Sequence, residues 1–273
     1  MTTMKMTSSP NIDTDRGYQA GFYAHSEGVR DEDRRLRKAA KIRLALENFG
    51  LSAGEGFCLD VGSSSGIMTA RIAPLFGYTV GLDYDVTALA AIVPEDRVAV
   101  DYVRGDAMGL PIGDACVDVV VCAQVYEHVP NDVQLFAEIY RVLKPGGVVF
   151  FSGPNWLFPI ELHYNLPFLH WLPQTWANAL LQALGADDQY YEKSRHMWGL
   201  RQLMHRFEVY DVTLDLIQSE TLIATPWLRA AAGRLPRPLW ALLYPWLPNF
   251  NWVLRKPQGG ELGGRPPQSE AAV

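Results

Sequence analysis

Asp60-Val61-Gly62-Ser63-Ser64-Ser65-Gly66 is the stretch on which the reading of this sequence turns. It closes a short apolar run, 56–61, and opens a helical pattern at Gly66, so a strand, a tight loop and a helix follow directly on one another. Glycine and serine keep Cβ bulk off the loop, and the helix start offers unpaired N–H groups, which suits a nucleotide-like ligand. The glycines stand at 62 and 66 with Ser64 between them, a departure from the G-x-G-x-x-G spacing of nicotinamide-binding loops.

On either side the same alternation continues. Upstream, acids first (Asp31, Glu32, Asp33), then Ala39, Ile42, Leu46 and Phe49 at helical spacing, with Gly50 as a stop, predict an amphipathic helix. Downstream come apolar runs at 79–83, 98–103, 117–124 and 148–152, helical patterns from Val86 and over 132–143, and the turn Lys144-Pro145-Gly146-Gly147. A further helix is predicted over 194–207, and strands over 208–214 and 251–255. Strands that alternate with helices predict parallel βαβ units, and near-continuous apolar strands such as VDVVVCAQV and GVVFFS predict a sheet covered on both faces. The expected fold is therefore α/β and Rossmann-like: a doubly wound, mostly parallel seven-stranded sheet with helices on both faces.

Composition narrows the function classes. The 273 residues are 48% hydrophobic and 20% charged, ordinary for a packed domain, and the net charge of -6 argues against a phosphate-backbone binder, so no nucleic-acid partner is expected. Three cysteines, with Cys58 and Cys122 inside apolar runs, fit a reducing compartment. Met1 to Pro10 are polar and no apolar stretch is long enough to span a bilayer, so the expected location is the cytoplasm.

The second half has a different character, since all eight tryptophans lie after residue 155. The segments 156–185 and 225–248 are apolar, the first with Glu161 and the second with Arg229, Arg234 and Arg237 as their only charges. Both read as insertions, at about 156–193 and 217–249, forming an apolar helical cap above the sheet's ligand edge within a single domain over 31–255. Residues 1–30 read as a flexible arm in which Tyr18, Phe22 and Tyr23 can order over a ligand, and 256–273 as a disordered Gly/Pro tail. With three arginines and no acid, 225–248 also suits an anionic membrane surface.

Acids recur where successive strands end. Leu82-Asp83-Tyr84 lies about twenty residues past the loop, where a carboxylate can accept both ribose hydroxyls, and Gly105-Asp106-Ala107 can receive an exocyclic adenine amine. With the strand VDVVVCAQVYEHV and the turn L-K-P-G-G, these motifs resemble the class I S-adenosylmethionine-dependent methyltransferases, in particular the small-molecule, type 11 methyltransferase-domain group, over roughly residues 30 to 155 and the last strands. The resemblance implies S-adenosyl-L-methionine as cofactor. Asp60 and the backbone of Gly62, Ser63, Ser64 and Gly66 would hold its methionine part, Asp83 and Tyr84 the ribose, and Asp106 with Ala107 the adenine, with Gln124 completing the set. Ser64 stands where that family most often has glycine.

S-adenosylmethionine is an activated electrophile, so the protein has to align a nucleophile and remove its proton. His128 is the expected general base, with Glu127 beside it, at the end of the fourth strand; the plainer reading is that the two satisfy one another or cap the helix from Asn131. Q-V-Y-E-H also resembles the metal-binding E-x-x-E-H of quinone-biosynthesis O-methyltransferases, but Gln124 replaces the first glutamate and no metal is expected. Tyr126, Glu161 and His163 are the candidate substrate contacts. A small-molecule or lipid-linked acceptor, methylated on oxygen, is the expected substrate. An NAD-dependent oxidoreductase and a non-catalytic adenosyl-ligand or membrane-surface module are the alternatives, and the oligomeric state is not legible.

Overall fold

The computed structural model describes residues 22–25, 30–51, 54–185, 190–218 and 236–259. The expectations for Tyr18, for most of 217–249 including Trp227, and for the tail beyond residue 259 lie outside the described residues.

A helical turn α1 (Phe22–His25) precedes the long helix α2 (Glu32–Asn48), whose N-cap Asp31 accepts from the Arg34 N–H. The predicted alternation then follows: β1 (Phe57–Val61), α3 (Ile67–Ile72), β2 (Tyr78–Asp83), α4 (Val86–Ala90), β3 (Asp101–Arg104), β4 (Val117–Ala123), α5 (Asp132–Val142) and β5 (Leu143–Pro154). After β5 come a two-residue hairpin β6 (Ile160–Glu161) and β7 (Leu166–Pro167), then α6 (Gln174–Ala183), α7 (Met197–Leu203), β8 (Glu208–Asp211), α8 (Thr213–Gln218), α9 (Arg237–Leu243) and β9 (Asn249–Arg255).

The seven-stranded sheet has the order β3-β2-β1-β4-β5-β9-β8. All pairs from β3 to β5 are parallel, and β9 runs antiparallel to both of its neighbours. The direction of winding reverses between β1 and β4, and that gap at the strand carboxyl ends is where an open α/β sheet leaves room for a ligand. Period-2 alternation fills both faces: Leu59, Val61, Val120, Cys122 and Phe151 pack against α5 and α7, whereas Cys58, Val119, Val121 and Phe150 pack against α2 and α3.

Several boundaries differ from the sequence reading for local reasons. Pro94 starts a 3-10 turn over Pro94–Arg97, so the third strand begins at Asp101, and Val98 is exposed. Residues 144–147 belong to the fifth strand, which starts as early as Leu143. The strand expected over 208–214 ends at Asp211, whose carboxylate accepts from the Thr213 N–H and starts α8. The first insertion is not purely helical, since it opens with the β6–β7 hairpin. Lys256 is anchored, its Nζ donating to the carbonyls of Tyr140 and Leu143 at 2.7 Å each.

Candidate active site

The loop after β1 is shaped by backbone that side chains resist. Gly62 has φ 80°, and a Cβ there would meet Val125 Cγ2 at 2.6 Å; Gly62 and Ser63 both donate to the Leu82 carbonyl, tying the loop to β2. Ser64 adopts φ 53°, which is the physical reason that glycine suits this position. Gly62→Ala is expected to destabilise the chain by roughly 2 kcal/mol or more, from the left-handed backbone and the Val125 overlap together, as read by urea unfolding.

This loop forms one wall of a cleft of about 1090 Å³, continuous with solvent, at the carboxyl ends of the parallel strands. Of the residues the sequence assigns to a cofactor, Gly62, Ser64, Asp83, Tyr84, Asp106, Ala107 and Gln124 line it. Asp83 is the hub: one carboxylate oxygen accepts from the Ser64 N–H at 2.7 Å, the other from the Asp85 N–H at 2.8 Å. Asp106 accepts from the Met108 N–H, turning its carboxylate towards its own loop. Gln124 ends β4 with φ 62° and donates from Nε2 to Asn249 Oδ1. Ser63 and Gly66 sit behind the lining, Ser63 buried and Gly66 under Tyr102, whose hydroxyl donates to its carbonyl.

Asp60 also lies behind the loop, fully buried. Its Oδ2 accepts from Thr69 Oγ1 at 2.5 Å, while Oδ1 has no hydrogen-bond partner among the described residues. Burial pushes its carboxyl up to about 7 against the opposing pull of Thr69 and Arg35. A raised carboxyl favours the folded state in its protonated form, so this contribution is complete below about pH 4 and is lost as pH rises through 7. Relative to Asp60→Asn, the wild-type chain is expected to lose up to ~4 kcal/mol of stability between pH 4 and 8, at about 1.36 kcal/mol per pH unit. Urea unfolding at several pH values reads the difference.

The other wall comes from α1 and α2. Phe22 and Tyr23 line the cleft, with the Tyr23 N–H donating to Asp85 and the Phe22 ring 4.9 Å from that of His128. Arg34, Arg35 and Lys38 line it too, placed by helical spacing on one side of α2. Burial holds Lys38 well below the usual range of a lysine, and the charges of Arg35 and Arg34 add to that effect. The sequence reading missed these cations, because a basic helix face is ordinarily a solvated one.

His128 and His163 join the lining from a polar cluster. Glu127 is 1% exposed, and His128 Nε2 lies 3.9 Å from its Oε1. Helix α5 is capped by Asn131 itself, whose Oδ1 accepts from the Gln134 N–H, so Glu127 and His128 are not its cap. From the first insertion, Glu161 accepts from the N–H groups of His163 and Tyr164. His163 Nδ1 lies 2.9 Å from Glu161 Oε1 and 2.6 Å from Glu192 Oε2. Glu192, absent from the sequence reading, is the residue that joins the cluster; nothing in Tyr190-Tyr191-Glu192-Lys193 signals a site.

The electrostatics are uneven. Burial first, then the neighbouring His163, holds His128 down at about 3, so it does not titrate near neutrality as its type alone would suggest. Burial pushes Glu127 up to about 7 and Glu192 to about 8. Although burial opposes its charge, hydrogen bonds to Glu161 and Glu192 raise His163 to about 10. Tyr126 is a correction: it is 1% exposed, its hydroxyl donates to the Pro154 carbonyl at 2.6 Å and accepts from the Arg195 N–H at 2.9 Å, so it braces the wall and does not face the cleft. Glu161 likewise stands behind His163, which does line the cleft.

Residues 59–151 match the family model described as a methyltransferase domain. A methyltransferase of Mycobacterium leprae is 38% identical over 118 residues, and a Mycolicibacterium smegmatis protein assigned as an S-adenosylmethionine-dependent methyltransferase is 42% identical over 97 residues. These matches span 42% of both chains in the first case, and 36% of this chain and 37% of the other in the second. Among solved structures, YcgJ of Bacillus subtilis aligns at TM-score 0.52 and 14% identity, covering 81% of this chain and 99% of its own. Geranyl diphosphate C-methyltransferase of Streptomyces coelicolor, solved with S-adenosyl-L-homocysteine, aligns at 0.51 and 15%, covering 81% and 79%. A [4+2]-cyclase aligns at 0.50 and 19%, covering 83% and 82%, so the fold alone does not dictate the reaction.

Proposed function

We propose that this chain, whose residues 59–151 match a methyltransferase domain, transfers the methyl group of S-adenosyl-L-methionine to a hydroxyl of a small-molecule or lipid-linked acceptor. The observation that carries this reading is that Gly62, Ser64, Asp83 and Asp106 line a single cleft together with His128. The residues fit the cofactor. The unpartnered Oδ1 of Asp60 suits an ammonium, the Gly62 cradle leaves no room for a Cβ, and each Asp83 oxygen keeps a lone pair for a ribose hydroxyl. Bound there, the cofactor supplies an electrophilic methyl group, and the chain orients the acceptor and takes its proton.

His128 is the proton acceptor in this reading. Its ring is neutral and a weak base, which suffices because the hydroxyl becomes strongly acidic as its oxygen gains the methyl group. Glu127 and Glu192, both held protonatable near neutrality, stand behind it to receive the proton next. The test is transfer of labelled methyl from S-adenosylmethionine to a panel of apolar alcohols and phenols beside matched amines. Label on the alcohols or phenols supports the reading, and label on the amines alone removes the oxygen assignment.

The apolar surface favours a lipid-linked acceptor over a fully soluble one. Trp176 is 68% exposed, and Leu184, Trp198, Leu242 and Trp246 are exposed as well. Helices with such residues can lie in a membrane interface although no described helix is long and apolar enough to cross a membrane. The chain is expected to co-sediment with vesicles containing anionic lipid, and Trp176→Ser together with Leu242→Ser to lower the bound fraction. Failure to sediment would leave a soluble acceptor as the reading.

A further inference from the structure

Five ionisable side chains meet beside the acceptor end of the cleft: Glu127 and His128 from the turn after β4, Glu161 and His163 from the hairpin of the first insertion, and Glu192 from the segment before α7. We propose that Glu127, His128 and His163 form a binding site for one divalent first-row transition ion, with Glu161 and Glu192 holding the His163 ring from behind. One ligand atom from each of the three residues lies within 4.8 Å of the other two. A modest contraction brings such a set onto metal bonds of about 2.0–2.2 Å.

Two further observations point to an ion. The Glu127 side chain is wholly buried, yet neither of its carboxylate oxygens has a hydrogen-bond partner among the described residues. Buried carboxylates are ordinarily hydrogen-bonded, and His128 Nε2 at 3.9 Å is too far for that, so an ion between the two would satisfy this one. The second is the setting of His163: Glu161 Oε1 at 2.9 Å and Glu192 Oε2 at 2.6 Å hold the ring and one proton at Nδ1, so the ion binds at Nε2 by displacing the second ring proton to solvent. Carboxylates that hold the far nitrogen of a histidine in this way are the usual support of a metal ligand.

The donor set decides the class of ion. Two imidazoles with a carboxylate suit Zn²⁺ or Fe²⁺, whereas Mg²⁺ and Ca²⁺ take oxygen ligands. Three protein ligands leave a coordination position open, and His128 and His163 both line the cleft, so that position faces the acceptor. The inference rests on the methyl-transfer reading of the cleft and deepens it: with the ion bound, His128 is a ligand, and the acceptor hydroxyl is acidified by the ion in place of the imidazole. Sequence alone pointed away from a metal because Gln124 is uncharged; the fold brings His163 from 39 residues after Gln124 (163 minus 124).

The test is calorimetric titration of the full chain, stripped with chelator and free of any affinity tag, with zinc chloride. One equivalent of zinc per chain is expected, and Glu127→Gln and His163→Gln should each weaken it by about a hundredfold or more, with Glu161→Gln weakening it by about ten- to a hundredfold. His205→Ala, which removes an exposed imidazole outside the cluster, should leave uptake unchanged, and magnesium chloride should not compete. Circular dichroism establishes that each variant is folded, and zinc should raise the unfolding midpoint of the wild-type and His205→Ala chains but not of Glu127→Gln or His163→Gln. No stoichiometric uptake by the wild type, or uptake that survives both Glu127→Gln and His163→Gln, overturns the site. S-adenosylhomocysteine binding is read on the same samples: zinc failing while that ligand binds overturns the ion site alone, and the reverse supports the ion site while removing the function tied to it.

Discussion

Asp83→Ala is expected to weaken S-adenosylhomocysteine binding by about a hundred- to a thousandfold. Hydrogen bonds to a charged group contribute roughly 1.5–3 kcal/mol each; towards the lower end of that range two ribose hydroxyls on one carboxylate sum to about 3–4 kcal/mol, at about 1.4 kcal/mol per tenfold. The same carboxylate holds the N–H groups of Ser64 and Asp85, so its removal also frees the loop after β1 and the start of α4. Asp83→Asn separates the two effects, because it keeps one oxygen for the loop and loses the charge. Calorimetry with S-adenosylhomocysteine, on variants shown by circular dichroism to be folded, reads both. An Asp83→Ala chain that binds as the wild type does would remove Asp83 from the site.

The second large effect is at the polar cluster. His128→Ala is expected to lower kcat by about a hundred- to ten-thousandfold, the range over which positioned acid–base groups act, while leaving S-adenosylhomocysteine affinity unchanged. The separation follows from the contacts: His128 lies beside Phe22 and His163, whereas Asp83 holds the N–H groups of Ser64 and Asp85. Loss of cofactor affinity together with kcat would mean that the substitution collapses the wall, and an unchanged kcat would remove His128 from the reaction. Because burial keeps the ring neutral down to about pH 3, activity is not expected to show the rise near pH 6.5 that an ordinary histidine base would produce.

How much of this was legible beforehand depends on whether the signal was local. The strand–loop–helix at Asp60, the acid at the end of β2 and the turn at Gly105 are each contiguous, and their periodicity and glycine spacing carry the fold and the cofactor end of the cleft. The acceptor end is assembled from distant segments. Glu192 sits in a stretch with no periodicity, and it becomes meaningful only because its oxygen meets His163 at 2.6 Å. Lys38 and Arg35 read as a solvated helix face until α2 is placed against the loop after β1. Tyr126 failed in the other direction: expected as a substrate contact, it is buried, with its hydroxyl committed to Pro154 and Arg195. His128 was found by position and misjudged by residue type, since only burial reveals how far its proton affinity falls.

The most direct test of the central claim is calorimetric titration of the purified chain with S-adenosylmethionine and S-adenosylhomocysteine, with NADH as control. The account predicts one site per chain with micromolar-range affinity for both adenosyl ligands and none for NADH. Absence of adenosyl-ligand binding, or binding of NADH in its place, would contradict the reading of Gly62, Ser64, Asp83 and Asp106 as a methyl-donor site.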